Sequence, residues 1–268
     1  MEPTEILAAA REGLTAMGER YARLVEDLED TSIPIPDSEW TVREAAVHVA
    51  GGPRRYAALA TGEVDLSAVP ADKEVLAARM RSILADNPET DPQRLADQVR
   101  EGYGVLMEVI ATIPADQPIA YYAGLRPKFA NIASIILGEP ILHGYDIATA
   151  VGVPWPIDPE YAAVAIGGYQ RVGYSAIFRP AASAGLEATY RVEVAGTDPF
   201  HARVADGTYT EPEAPGSIDC VISADPVTAL LVITGRLKQW PAIALGRLKF
   251  TGDRPELGPR FADLFVFP

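Results

Sequence analysis

The chain has one cysteine and three histidines in 268 residues, and its 23 Lys and Arg are outnumbered by 37 Asp and Glu. Each shortage excludes something. With Cys220 alone no internal disulfide and no thiolate cluster can form, which suits a reducing compartment. A net charge of −14 disfavours nucleic acid, whose phosphates reward clustered cations, and disfavours an anionic membrane surface. Long apolar runs are missing too. The longest, from Ile132 to Leu142, is interrupted by Gly138, Glu139 and Pro140 and is too short to span a bilayer. The stretch from Met1 to Ala10 carries Glu2 and Glu5 and lacks the basic start of a signal peptide. The expectation is a soluble, cytoplasmic protein handling a small molecule, with no nucleic-acid or membrane partner. At 48% hydrophobic and 22% charged residues, it has a sizeable core.

The first half has helical periodicity. Apolar residues from Ile6 to Leu28 recur at three- and four-residue intervals. Thr41-Val42-Arg43-Glu44 is a capping-box pattern opening a second helix, which Gly51-Gly52-Pro53 would end or kink. Asp72 to Ala85 forms a third, Asp91-Pro92 opens a fourth reaching about Ile113, and Lys128 to Val151 is a fifth. Ile119 to Tyr122 reads as a short strand or extended crossover, and Asp158-Pro159 opens a sixth helix to about Phe178. The pattern changes near Arg179. Ala188, Tyr190, Val192 and Val194 alternate with Thr189, Arg191 and Glu193, which is strand periodicity. Further strands are expected at His201–Val204, Ile218–Ser223 and Leu245–Thr251, with helices at Asp225–Ile233 and Pro255–Phe265. An all-helical bundle over 1–180 followed by a small α+β domain over 181–268 results.

The scarce histidines are informatively placed. Glu139 and His143 lie four residues apart on the fifth helix, a spacing that lets both grip one cation. His48, on the second helix, supplies a third ligand type. Two histidines and one carboxylate leave coordination positions open, as in a working divalent site rather than a closed structural one. Pro140 removes a backbone hydrogen bond directly after Glu139, and a kink there would move Glu139 away from His143. Asp146 has two readings: a carboxylate fixing the tautomer of a ligating histidine, or a solvated surface residue. His201 reads as a strand or turn residue of the other domain, Arg236 as a helix-end cation or a residue reaching the cleft to pair a substrate carboxylate, and Arg54, Arg55 and Arg171 as exposed charges. Tyr121, Tyr122 and Trp155 read as packing, and Cys220 as an inert buried thiol.

Trp40-Thr41-Val42-Arg43-Glu44-Ala45-Ala46-Val47-His48, taken with Glu139-Pro140-Ile141-Leu142-His143-Gly144-Tyr145-Asp146, resembles the mycothiol-dependent maleylpyruvate isomerase family, a branch of the DinB-like metal-binding four-helix bundles. The segment from Asp219 through Asp225-Pro226 and Gly235-Arg236 to Asp253 is similar to the sterol-carrier-protein-like domain. The resemblance implies a divalent metal, zinc, on His48, Glu139 and His143, with mycothiol as thiol cosubstrate and a small electrophile as its partner. The implied activity is a mycothiol-dependent isomerase or S-transferase. The alternatives are a non-enzymatic protein binding an apolar small molecule in the C-terminal domain, and a family member whose metal site persists without activity.

Overall fold

The computed structural model describes residues 1–172 and 174–265, and among these the chain divides into two compact units, Met1–Ile157 and Asp158–Pro268. The first unit holds α1 (Pro3–Glu26), α2 (Val42–Thr61), α3 (Lys73–Asp86), α4 (Pro92–Ile110) and α5 (Phe129–Val151). Local chemistry sets where these helices start. Thr41 caps α2 through a reciprocal box with Glu44, whose carboxylate accepts from the Thr41 amide at 2.7 Å. Asp72 and Asp91 cap α3 and α4 by accepting from backbone amides in the first turn. Gly62 and Gly152 end α2 and α5 in the left-handed conformation.

α1, α4, α2 and α5 pack in that cyclic order, each against the two beside it, and enclose the core formed by Leu14, Tyr21, Leu95, Leu106, Ile132 and Ile136. α3 lies outside this ring against α2. The ring is tight where α4 meets α2. A Cβ placed on Gly102 would lie 2.7 Å from the backbone oxygen of Ala50. Both internal prolines are accommodated: α2 continues through Pro53 and α5 through Pro140. The expected break at Gly51-Gly52-Pro53 is therefore absent. A proline costs its helix one bond, but burial of Pro53 and Pro140 within the bundle offsets that loss. In the stretch expected to be extended, Tyr121 has extended backbone and leads into a short 3-10 turn at Tyr122–Gly124.

The second unit begins with α6 (Pro159–Val172) and a short α7 (Tyr174–Ile177); residue 173, within the expected sixth helix, lies outside the described residues. β1 (Ala188–Val194), β2 (Phe200–Ala205), β3 (Thr208–Thr210), β4 (Cys220–Ala224) and β5 (Leu248–Thr251) form a sheet of order β3-β2-β1-β4-β5. β1 is antiparallel to β2 and parallel to β4. Its burial alternates as the sequence reading expects, with Ala188, Tyr190, Val192 and Val194 inside. α8 (Pro226–Ile233), α9 (Gln239–Ala244) and α10 (Gly258–Asp263) complete the unit. α6 buries Ala162 to Gly168 and packs on α8. The compact units thus divide before α6, whereas the sequence reading places this helix with the bundle.

Two glycines in α4 make the packing testable. Gly102→Ala should destabilise the protein by about 1–2 kcal/mol, because overpacking against a fixed carbonyl outweighs the gain in helix propensity. Gly104 is exposed with open space around its Cα, so Gly104→Ala should stabilise by about 0.5–1 kcal/mol. Chemical denaturation of both variants checks the pair; equal signs would contradict this packing.

Candidate metal centre

α2 and α5 bring the three expected ligands together. His48 Nε2 lies 2.8 Å from Glu139 Oε2, and His143 Nε2 lies 3.5 Å from the same oxygen. One ligand atom from each residue falls within 4.8 Å of the other two. The α5 backbone stays helical across Pro140, so Glu139 and His143 share a face and no displacing kink arises.

The surroundings hold these side chains in place. His143 Nδ1 is 3.1 Å from Asp146 Oδ2, which leaves Nε2 facing Glu139. Asp146 is therefore an orienting carboxylate, not a solvated residue. The far nitrogen of His48 faces the thioether of Met80 at 3.2 Å. Trp40, the residue before the α2 cap, stacks its ring on His143 at 5.5 Å and tilts against His48 at 5.2 Å. On the other side of α5, Trp155 donates to the Ile141 carbonyl at 3.1 Å and lies against Gly144, where any side chain would collide with its ring. The glycine after His143 thus leaves room for a packed indole. Trp155 also carries the Arg20 guanidinium 3.9 Å above its ring, in line with its expected packing role.

Electrostatics prepare the cluster as a donor set. Burial disfavours the charged form of His48 and lowers its pKa below the ordinary 6.5, although Glu139 pulls the other way. Burial alone would raise the Glu139 carboxyl. The His48 imidazole and hydrogen bonds from His143 and His48 outweigh it and hold Glu139 well below the usual carboxylate range. A neutral imidazole and an ionised carboxylate are the forms a divalent cation requires. Tyr103 of α4 lies in the field of Glu139, its phenol kept neutral by burial, and its hydroxyl has no hydrogen-bond partner among the described residues. The side chains of His48, Glu139 and His143 retain 12, 19 and 14% exposure, so the cluster is recessed but reachable.

Other candidates lie elsewhere. His201 sits in β2 and Arg236 follows α8, both in the second unit. Cys220 is buried in β4 with its thiol pushed up to about 11 by burial, an inert group as expected. Arg54 is exposed and pairs with Glu101 at 3.1 Å. Arg55 and Arg171 are not exposed charges. Arg55 donates to the His48 carbonyl at 3.1 Å, and Arg171 is held by the Gly167 carbonyl and Asp198. Both stems fold back along their own helices, which residue type alone does not reveal. The sequence reading misses Met80 and the role of Arg55; the helical spacing of Arg55 from His48 is the one available signal.

Comparison with known proteins follows the same two-part division. The profile of the mycothiol maleylpyruvate isomerase N-terminal domain matches residues 14–148, and that of the SCP-2 sterol transfer family matches residues 177–265. The crystal structure of a mycothiol-dependent maleylpyruvate isomerase superposes with a TM-score of 0.54 at 14% identity, covering 94% of this chain and 93% of that one. A histidine-to-alanine mutant of such an enzyme superposes with a TM-score of 0.55 at 15% identity over the same shares. These likenesses show the fold. No curated protein matches the sequence.

The orienting role of Asp146 predicts that Asp146→Asn weakens zinc binding by about 10–100-fold without loss of helical signal. Isothermal titration with zinc measures this, and unchanged affinity would contradict the role. Because protonated imidazole cannot ligate, wild-type affinity should be full near pH 8 and fall on acidification through the histidine range.

Proposed function

The chain belongs to the mycothiol maleylpyruvate isomerase family, and from that membership we propose an enzyme holding one divalent cation, zinc, on His48, Glu139 and His143. Its substrates are a low-molecular-weight thiol, mycothiol, and a small electrophile. The observation that carries this reading is the convergence of two imidazoles and one carboxylate within 4.8 Å, drawn from two helices. The donor set fits zinc: nitrogen and oxygen ligands, three from the protein, with room for an exogenous group. When bound, such an ion supplies Lewis acidity that lowers the pKa of a coordinated thiol.

The protein's own residues account for the rest. Asp146, 3.1 Å from His143 Nδ1, would hold that ring with Nε2 free for a bound cation, and the ionised Glu139 would balance the cation's charge. Trp40 packs its ring against both imidazoles. The nucleophile comes from outside the chain, since the thiol of Cys220 is buried and protonated at neutral pH. Addition of the external thiol to an activated double bond, rotation, and departure of the thiol would isomerise the substrate; retention of the adduct would transfer it. The name of the structural relative favours isomerisation.

A second reading, a binding protein for an apolar molecule, draws on a cavity in the second unit lined by Ile166, Val192, Ile222, Phe250 and Phe261. Its volume of about 60 Å³ is well below the roughly 150 Å³ that holds one benzene. A sterol would require the unit to open, so the metal cluster supports the better account.

The test is thiol-dependent turnover of maleylpyruvate by zinc-loaded protein. His48→Ala should reduce it by at least about a hundredfold, comparable to losses on disturbing a metal site. Undiminished turnover in that variant, or in metal-free protein, would contradict the proposal.

A further inference from the structure

The face that α9 turns to solvent carries no polar side chain. Ala242 is buried and Gln239 Nε2 donates to the Pro259 carbonyl at 3.0 Å, which seats the helix by its inner side. The exposed positions opposite are Trp240, Pro241, Ala244 and the cap residue Leu245. Trp240 and Ala244, like Pro241 and Leu245, are four apart, so the four form two adjacent rows of one face. Trp240 is 65% exposed and Leu245 71%, more than any other large apolar side chain among the described residues.

A surface helix ordinarily turns polar residues outward, and a contiguous exposed apolar face marks an interaction site. The charge around it selects the partner. From Pro226 to Gly252 the chain has four cations, Arg236, Lys238, Arg247 and Lys249, and no Asp or Glu, although acids outnumber cations 37 to 23 overall. Lys238, Arg247 and Lys249 are exposed. A helix of six residues, about 9 Å long, falls far short of the roughly 800 Å² that each partner of a stable protein pair buries. A two-fold contact between copies would also set these cations against their own equivalents. A bilayer interface makes no such demands. Indole rings settle at headgroup level, other apolar side chains reach the acyl boundary, and Lys and Arg stems extend to lipid phosphates. The net charge of −14 opposes approach from a distance, but screening over about 8 Å leaves the nearest groups to decide the contact.

We propose that this face of α9 docks on an anionic lipid bilayer: Trp240 and Leu245 enter the interface, and Lys238, Arg247 and Lys249 meet the lipid phosphates. The contact is peripheral, since no helix among the described residues is long and apolar enough to cross a membrane. It lies wholly in the second unit and is independent of the reading of His48, Glu139 and His143 as a metal site.

The experiment floats the whole chain at low salt with vesicles of phosphatidylcholine and phosphatidylglycerol in equal parts, and separately with phosphatidylcholine alone. Wild type floats with the mixed vesicles and at least about fivefold less with phosphatidylcholine. Trp240→Ser with Leu245→Ser, and separately Lys238→Gln with Arg247→Gln, each cut the bound fraction by at least about fivefold while circular dichroism matches wild type. Brominated lipid in the mixed vesicles quenches wild-type fluorescence. Trp240→Phe floats without that quenching, because Trp40 and Trp155 pack within the first unit. Wild type that stays unbound, or either double variant that floats within twofold of wild type, overturns the proposal. Self-association of wild type without flotation, abolished by the Trp240 and Leu245 changes, overturns it in favour of a contact between copies.

Discussion

The contact between His48 Nε2 and Glu139 Oε2, 2.8 Å across the α2–α5 interface, is the constraint on which the rest depends. A carboxylate drawn away from water is strongly disfavoured unless partners compensate. Here the partners come from two helices far apart in sequence, so the bundle must close correctly before Glu139 is stabilised as an anion. That coupling links the capping of α2, its close approach to α4 at Gly102, and the continuity of α5 through Pro140 to one small group of atoms.

Much of this is legible in the sequence, and the reasons are local. The Thr41–Glu44 box, the Asp-Pro starts of α4 and α8, and the alternation of β1 each depend on a few adjacent residues. The i, i+4 pair on α5 is likewise a consequence of helix geometry. What escapes depends on tertiary packing. Met80 reaches His48 from another helix, and Arg55 folds into a slot left by Gly51. The two internal prolines suggest breaks because their lost bonds are visible in the sequence whereas the burial that offsets them is not. β3, from Thr208 to Thr210, is too short to show alternation, and α9 is a helix of six residues around Pro241. α6 reads as a bundle helix because its apolar character says nothing about which unit covers it.

The cluster's chemistry follows from the division of tasks around it. Glu139 and the two histidines supply charge and lone pairs, Asp146 fixes one ring, and Trp40 shields both. None of these is a nucleophile, and the chain's one thiol is buried in the second unit. On the proposed reading, a site so equipped activates a group brought to it.

X-ray absorption at the zinc edge of metal-loaded protein tests the central claim most directly. The account predicts one zinc per chain, two imidazole nitrogens and one carboxylate oxygen at about 2.0–2.2 Å, and no sulfur from the protein. A first shell with fewer than two imidazoles, or one containing protein sulfur, would contradict it.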